Sequence, residues 1–334
     1  MEKLEVLALS FKRGIGPKKI TEIAERYGSA EEWAREEKTD LSQELERAEG
    51  EIREAERLGI KIITLFDGEY PEKLKNINSP PPVLYVKGNL SNSPSVAVVG
   101  SRRCSSYGRR VAFGLSKFLA ERGICIISGL AYGIDSAAHR GALEGGTTVA
   151  VLGCGLDDVY PRGNRELAER IVESGGALVS EFPLRTKVSR ENFPRRNRIV
   201  AGLSDAVVVV EAGERSGSFI TVDFALEQGK EVFSVPGPID SPFSAGTNRL
   251  IKEGAAPLTD YGDILELFPE NNVQNEVEVS EHLKPVIEAL KSSPKGIDRL
   301  SEELKLPVRK LSSLLFELEV LGIVRREGAL YQLC

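Results

Sequence analysis

The sequence predicts an α/β protein whose central parallel sheet is covered on both faces by helices, flanked by a helical module and a winged helix. Apolar segments of strand length alternate with amphipathic segments of helix length through the middle of the chain. Almost every apolar segment ends in Gly or Ser. After Phe268, a polar stretch precedes three helical segments and two short apolar segments around a Glu-Gly turn, which is the order of a winged helix.

Residues 1–60 are predicted to form a module of short helices. The segment "GIGPKKITEIAERYGS" has a glycine hairpin, then Pro17 at a helix start and apolar residues at helical spacing. Residues 31–58 are helical and acidic in pattern. The segment 61–67 is predicted as a strand, and 78–90 as a proline-marked turn with a second short strand.

Residues 61–269 are predicted to form the sheet domain. Its central strands are expected at 95–100, 124–129, 147–153, 176–181, 205–212 and 231–237. Its helices are expected at 107–122, 134–143, 163–173, 191–202 and 217–228. Ligands of open α/β sheets bind beyond the carboxyl ends of the strands, so the loops that follow the strands are the expected site.

The chain after the sheet domain divides into a predicted linker at 270–281 and a winged-helix domain at 282–334. Helices are expected near 283–291, 297–304 and 307–321. The third helix holds two basic residues but is otherwise apolar or acidic, unlike a helix that reads a DNA groove. We therefore expect this domain to contact protein or to regulate the chain itself.

Composition limits the kind of protein. The formal net charge is −6 and the pI is near 5.4, whereas a uniformly basic DNA-coating protein has a pI above about 9. No segment approaches the roughly 20 apolar residues that span a membrane, so we expect a cytoplasmic protein. Four scattered cysteines and two histidines make a metal site improbable. A polyanionic partner would need positive charge concentrated in one place.

Positive charge is concentrated in "SRENFPRRNR", residues 189–198. Its arginines can contact a phosphate backbone, and its phenylalanine can stack on bases, a combination suited to single strands. Some of these arginines can instead brace the structure. Arg190 and Phe193 are the stronger candidates for ligand contact, and Arg198 for bracing. The candidate residues in this stretch are Arg190, Phe193, Arg195, Arg196, Asn197 and Arg198.

Two other loops offer groups that bind anions. In "VVGSRRCSSYGRR", backbone N–H groups at a helix N-terminus, with Gly100 and Ser101, predict a phosphate cradle to which Arg102 and Arg103 add charge. The alternative is a plain turn with surface arginines. The loop "EAGERSGSF" repeats the arrangement through N–H groups of three small residues, Ser216, Gly217 and Ser218.

Groups that make or break bonds are scarce. Neither a dinucleotide fingerprint nor a P-loop is present, and no nucleophile–base–acid order emerges. Asp135 and His139 lie four residues apart, and we expect Asp135 to brace a helix start and His139 to pack at the sheet edge. Arg165 is expected to point from a helix's first turn toward the site. The pattern favours binding over catalysis.

Several linked motifs resemble the DNA-processing protein A family, also called DprA or Smf. They are "GSRRCSSYG", "SGLAYGIDSAAH", "LGCGLDDVYPRGN", "SEFP", "FPRRNRIVAGLS", "EAGERSGSFITVDFALEQGKEVFSVPG" and "GTNRLIKEGA". The resemblance is close over residues 60–268. It implies an extended Rossmann-like domain that binds single-stranded DNA with little sequence preference and dimerises. It also implies protection of incoming DNA and loading of a RecA-type recombinase in natural transformation, with no enzymatic activity or cofactor.

The resemblance also assigns DNA contacts. They fall on Arg102 or Arg103, on Arg165, and on Phe193 together with either Arg190 or Lys187. The choice in the last pair is open because this chain has "LRTKVSREN" where the family often has a Pro/Gly-rich loop. The N-terminal module resembles a SAM or helix-hairpin-helix domain, and its hairpin is either a DNA contact or a packing turn.

Two other functions remain open from the residues alone. One is an enzyme of the related Rossmann group that cleaves nucleotide phosphoribosyl bonds, although its usual Pro-Gly-Gly-x-Gly-Thr loop is replaced here by "EAGERSGSF". The other is a sequence-specific regulator that uses the winged helix, with the central domain sensing a small ligand.

Overall fold

The computed structural model of the chain describes residues 1–90, 92–271, 282–291, 293–320 and 323–333. The chain forms two compact units, Met1–Asn272 and Val273–Cys334. The predicted linker lies almost entirely outside the described residues. The domain boundaries expected from the sequence therefore stay predictions.

The first unit begins with four helices, α1 (Lys3–Phe11), α2 (Pro17–Tyr27), α3 (Ala30–Glu36) and α4 (Ser42–Arg57). Pro17 occupies the start of α2, where its missing N–H costs no helical hydrogen bond. Leu7 and Ile23 are fully buried, in one hydrophobic core with Leu152 and Leu178 of the sheet region. The N-terminal helices therefore pack against the sheet within the same unit.

The described part of the first unit contains a nine-stranded sheet in the order β1-β2-β6-β5-β4-β3-β7-β8-β9. The strands are β1 (Lys61–Thr64), β2 (Val83–Gly88), β3 (Ser95–Val99), β4 (Cys125–Ser128), β5 (Thr148–Val151), β6 (Ala177–Ser180), β7 (Ala206–Val209), β8 (Glu231–Ser234) and β9 (Ala256–Pro257). Along the sheet, every neighbouring pair in the series β6-β5-β4-β3-β7-β8-β9 is parallel, as predicted. The pairs β1–β2 and β2–β6 are antiparallel.

Helices connect the strands and cover both faces of the sheet. They are α5 (Glu72–Lys75), α6 (Ser106–Ala120), α7 (Ile134–Ala142), α8 (Arg165–Glu173), α9 (Asn192–Leu203), α10 (Phe219–Glu227) and α11 (Ala245–Lys252). The predicted α/β class is confirmed. The short elements α5, α11 and β9 were not expected, because few residues carry their pattern.

The strand order reverses at β3. The chain moves from β3 through β4 and β5 to β6 on one side, then returns with β7 on the other side of β3. The loops that follow β3 and β7 therefore flank a crevice at the carboxyl ends of the strands. In doubly wound sheets such a switch point is the usual ligand site.

The second unit is the predicted winged helix. It contains α12 (Lys284–Leu290), β10 (Lys295–Gly296), α13 (Ile297–Leu304), α14 (Val308–Val320), β11 (Val324–Glu327) and β12 (Leu330–Leu333). The strands form an antiparallel sheet in the order β10-β12-β11. Its own hydrophobic core includes Leu283, Leu300 and Leu311. Across the described residues of both units, every helix is too short or too polar to cross a bilayer.

Candidate functional site

A cavity of about 480 Å³ lies at the switch point of the sheet. Three segments that are distant in sequence meet there: the loop after β3, the start of α9, and the loop between β7 and α10. Ten residues selected from the sequence line it: Gly100, Ser101, Arg102, Arg190, Phe193, Arg196, Asn197, Ser216, Gly217 and Ser218. Asp135 is the one carboxylate among its described lining residues.

The loop after β3 uses its backbone N–H groups within the protein. The N–H of Ser101 donates to the Glu211 carbonyl at 2.7 Å. The N–H of Ser105 donates to Oε2 of Glu211 at 2.8 Å, and that of Arg103 donates to Oγ of Ser101 at 3.1 Å. These three N–H groups of the predicted phosphate cradle therefore already donate to oxygen atoms of the protein. The side chains of Arg102 and Arg103 are exposed on this loop.

Glu211 reaches this position because α6 has a glycine in its first turn. A Cβ atom at Gly108 would lie 2.4 Å from Oε2 of Glu211, which no side chain could tolerate without displacing the carboxylate. Glu211 is 2% exposed, and its Oε1 also accepts a hydrogen bond from the Ser105 hydroxyl at 2.5 Å. A buried carboxylate thus takes the place at the N-terminus of α6 that an anionic ligand would occupy.

Phe193 lies in the first turn of α9 and is half-buried at the cavity. The guanidinium carbon of Arg102 lies 4.7 Å from the centroid of its ring. The ring of Tyr160 is inclined at 45° to it, with the two centroids 6.2 Å apart. Cation–π attraction holds Arg102 and Phe193 together at the cavity rim.

Two exposed tyrosines join this region although they were not selected from the sequence. Tyr160 is 45% exposed and Tyr132 is 51% exposed. Tyr132 contacts the loop after β5, since a Cβ at Gly163 would lie 2.7 Å from the Tyr132 hydroxyl oxygen. The available signal was the position of each tyrosine in a loop just after a strand, where an aromatic residue has little core to fill.

Arg196 is buried beneath the cavity. Its Nη1 donates to the carbonyl of Gly129, at 2.8 Å, and to that of Val151. These carbonyls lie at the carboxyl ends of β4 and β5, so one guanidinium joins two neighbouring strands. Burial lowers the pKa of Arg196 to about 10, against the opposing effect of Asp135.

Arg198 and Arg195 share one buried carboxylate, that of Glu181. Arg198 donates to Oε1 at 3.0 Å and to Oε2 at 2.8 Å, and its side chain is 8% exposed. Arg195 donates to Oε2 at 2.8 Å, but its side chain is 55% exposed. Arg198 is therefore placed to brace α9 against the end of β6, while Arg195 keeps a solvent-facing surface.

Asp135 is buried at the start of α7, where Oδ2 accepts the N–H groups of Gly129 at 3.2 Å and Ala131 at 3.3 Å. Burial raises the pKa of Asp135, and the Arg196 guanidinium opposes that rise. From the first turn of α7, the carboxylate thus ties the helix start to the loop after β4.

His139 is fully buried on α7. Its Nδ1 lies 2.7 Å from Oγ1 of Thr148, and that hydroxyl donates to the carbonyl of Ile126 at 2.6 Å. Since the single hydroxyl hydrogen is used, Nδ1 of His139 donates to Thr148. Burial lowers the pKa of His139 to about 3, so the ring is neutral where α7 packs on β5.

The third loop offers hydroxyl groups and open space. Oγ of Ser216 lies 2.8 Å from Oγ of Ser218. The N–H groups of both serines donate within the loop, to Gly213 and to the Ser216 hydroxyl. A Cβ at Gly217 would meet no heavy atom within 4 Å, so the loop leaves room at the cavity.

The remaining candidates lie outside the cavity lining. Arg103 and Lys187 are exposed on their loops. Arg165 is the first residue of α8, and its Nη2 lies 3.3 Å from Oδ1 of Asp158. Arg165 lines a separate cavity of about 530 Å³, which also contains Lys87. The structure thus groups Arg102, Arg190 and Phe193 together but places Arg165 beside a second depression.

Comparison with known proteins extends these observations. The family model of DNA recombination-mediator protein A matches residues 61–269, and the model of the DprA winged helix domain matches residues 272–329. Protein Smf of Escherichia coli is 43% identical over 268 residues, covering 76% of this chain and 72% of that protein. DNA processing protein DprA of Bacillus subtilis is 42% identical over 220 residues, covering 65% and 74%.

Two solved structures share the architecture. DNA processing protein A from Streptococcus pneumoniae superposes with a TM-score of 0.65 at 34% identity, covering 80% of this chain and 98% of that chain. DNA processing protein A from Helicobacter pylori, described for its single-stranded DNA binding mode, superposes with a TM-score of 0.57 at 27% identity. It covers 64% of this chain and 96% of its own.

Proposed function

The chain belongs to the DNA recombination-mediator protein A family, and from this premise we propose that it binds single-stranded DNA with little sequence preference at the switch-point cavity. One observation carries the proposal: the Arg102 guanidinium lies against the Phe193 ring, beside the exposed ring of Tyr160. Stacking on aromatic rings is tolerant of sequence because every base has a π-face, and an adjacent guanidinium can hold the phosphate.

The charge distribution supports the same proposal. The chain as a whole is acidic, at net charge −6, yet the side chains at the cavity rim are cationic. The carboxylate at the cavity, that of Asp135, is buried and accepts hydrogen bonds from two backbone N–H groups. A polyanion would therefore meet positive charge at this rim although the molecule repels it elsewhere.

We assign the candidate residues to two roles. Arg196 and Arg198 hold the site together, because both are buried with their donors on protein oxygen atoms. We assign contact with the single-stranded DNA to residues that are exposed or that line the cavity. These are Gly100, Ser101, Arg102, Arg103, Arg165, Lys187, Arg190, Phe193, Arg195, Asn197, Ser216, Gly217 and Ser218.

We further propose that the protein acts by binding and not by catalysis. The acid and base candidates, Asp135 and His139, are both buried, and both are hydrogen-bonded within the protein. Protection of incoming DNA, loading of a RecA-type recombinase and homodimerisation are the parts of the proposal that rest on the family alone, and a cytoplasmic location rests on the apolar pattern of the sequence. The winged helix exposes Phe316, at 66%, on α14, which supports a role in protein contact.

Fluorescence anisotropy with labelled oligo-dT and with a duplex of equal length tests the proposal. We expect tighter binding to the single strand, and affinity that falls with salt by about 0.7 log units per log unit of salt for each neutralised phosphate. Equal or tighter duplex binding would favour the regulator. Release of free base from nucleoside monophosphates would favour the phosphoribohydrolase.

A further inference from the structure

The N-terminal helices hold the beginning of the loop between β6 and α9 through a hydrogen bond to a carboxylate of α4. Glu51 lies on α4, and its Oε1 accepts a hydrogen bond from the backbone N–H of Leu184 at 2.6 Å. The Leu184 side chain is buried in the hydrophobic core that α1 to α4 share with the sheet. The loop that carries Lys187 and Arg190 therefore starts from a point fixed by the N-terminal helices.

The next two residues of the loop are fixed by the sheet domain. The N–H of Arg185 donates to Oδ1 of Asp157 at 2.8 Å. The N–H of Gly155 donates to the carbonyl of Thr186 at 3.1 Å. Arg185 has φ of +64°, a left-handed conformation that a non-glycine residue keeps only where its surroundings hold it. The backbone at 184–186 is thus set by contacts on both sides.

The exposed part of the loop begins immediately after these anchors. Lys187 and Arg190 are both exposed, and the loop re-enters the structure at Asn192. The side-chain amide of Asn192 donates to the Gly153 carbonyl at 3.0 Å. Because only a few residues separate the two anchored ends, the directions of Lys187 and Arg190 depend on how residues 184–186 are held.

We infer that Glu51 is a positioning residue for the loop that carries Lys187 and Arg190. The N-terminal helices would then contribute to the binding of single-stranded DNA without touching the DNA. This inference rests on the proposed function. Hydrogen bonds to a carboxylate are stronger than neutral ones. Glu51 also lies beside the buried phenol of Tyr85, whose pKa is raised by burial first and by the Glu51 charge second. The carboxylate is therefore inserted between α4 and the sheet.

Replacing Glu51 has two opposite effects on DNA binding, so the direction of the change in affinity shows which effect dominates. Removing a carboxylate from an acidic protein favours a polyanionic ligand, whereas losing the anchor disfavours it. We expect Glu51→Ala to weaken oligo-dT binding about tenfold, the size of a lost charge-assisted hydrogen bond. Glu56→Ala removes an exposed carboxylate from the same helix and should leave binding equal or slightly tighter. Glu51→Gln should retain binding, because its amide oxygen can still accept the Leu184 N–H.

Limited trypsin digestion measures the loop without any DNA. Arg185, Lys187 and Arg190 are cleavage sites, and we expect Glu51→Ala to be cut there about tenfold faster, in line with the lost bond. Glu56→Ala and Glu51→Gln should be cut at the wild-type rate. In the wild-type protein, hydrogen exchange at the Leu184 N–H should be slowed, which tests the contact even if Glu51→Ala does not fold.

Two results would overturn the inference. One is unchanged digestion of Glu51→Ala together with affinity equal to that of Glu56→Ala. The other is rapid exchange at the Leu184 N–H of the wild-type protein. If the wild-type chain binds no oligonucleotide, the proposed function fails, and the digestion and exchange results still decide whether Glu51 holds the loop.

Discussion

The guanidinium carbon of Arg102 lies 4.7 Å from the centroid of the Phe193 ring, so the loop after β3 and the first turn of α9 meet in a single contact. The contact spans the crevice where the strand order reverses. It joins the charge that attracts a phosphate to the ring on which a base can stack. Each side chain also limits the freedom of the other before a ligand arrives, which lowers the entropy cost of binding.

Replacing Phe193 tests the stacking surface. We expect Phe193→Ala to weaken oligo-dT binding by about 1–3 kcal/mol, the usual contribution of one stacked base. The melting temperature should change little, because the ring is only half-buried. Anisotropy titration and thermal unfolding of the same samples give both numbers. Phe193→Trp should retain binding, and Phe66→Ala, which removes an aromatic ring that is 39% exposed outside the cavity, serves as the control. A large fall in melting temperature for Phe193→Ala would instead assign the ring to the core.

Replacing Arg190 tests phosphate contact. Its side chain is exposed and lines the cavity. If it neutralises one phosphate, Arg190→Ala should reduce the slope of log K against log salt by about 0.7. Titrations at several salt concentrations measure this slope. Arg53→Ala removes an equal charge from α4, where the side chain pairs with Glu49, and its slope should match the wild type. Equal slopes for all three proteins would remove Arg190 from the interface.

The sequence is sufficient to predict the fold class and the central strands of the sheet. The central strands are apolar runs that end in small residues, and periodicity identifies them without tertiary information. The stretch around Phe193 was conspicuous because four arginines are unusual in an acidic chain. The meeting of Arg102 with Phe193 was not predictable at the residue level, because it depends on which strand lies beside β3.

The sequence pattern does not show which charged side chains are buried. The sequence separates Arg198, expected to brace the structure, from Arg190, expected to contact the ligand, but it does not distinguish the buried Arg196 from the exposed Arg195. The distinction comes from the carbonyls at the ends of β4 and β5 and from Glu181 at the end of β6. Likewise, Glu211 occupies the helix N-terminus that a sequence argument assigns to a phosphate, because Gly108 leaves space for its carboxylate.

The shared carboxylate of Glu181 permits a comparison between two arginines. Arg198→Ala leaves a carboxylate that is 2% exposed without its buried partner, and we expect a loss of about 3–5 kcal/mol in the free energy of unfolding. Arg195→Ala removes a half-exposed partner from the same oxygen, and the loss should be at most about 1 kcal/mol. Urea unfolding of the two variants measures both. Similar losses for the two would show that burial does not control the strength of these ion pairs.

His139 gives the protein a predictable sensitivity to acid. Its pKa is about 3 in the folded chain and 6.5 when exposed, because burial disfavours the charged ring. Between these values the unfolded chain binds a proton that the folded chain does not, so stability is complete above the unfolded pKa and is lost as the pH falls. The slope contributed by this group is about 1.4 kcal/mol per pH unit. Asp135, whose pKa burial raises, acts in the opposite direction and is present in every variant.

Urea unfolding between about pH 6.5 and 4.5 isolates the histidine, since His139→Gln cannot titrate and should show a shallower loss of stability by about 1 kcal/mol per pH unit. His282→Gln replaces the exposed histidine of the second unit and should follow the wild-type slope. If His139→Gln and the wild type lose stability in parallel, the buried ring is protonated in the folded state. The donor in its hydrogen bond to Thr148 would then be a charged imidazolium.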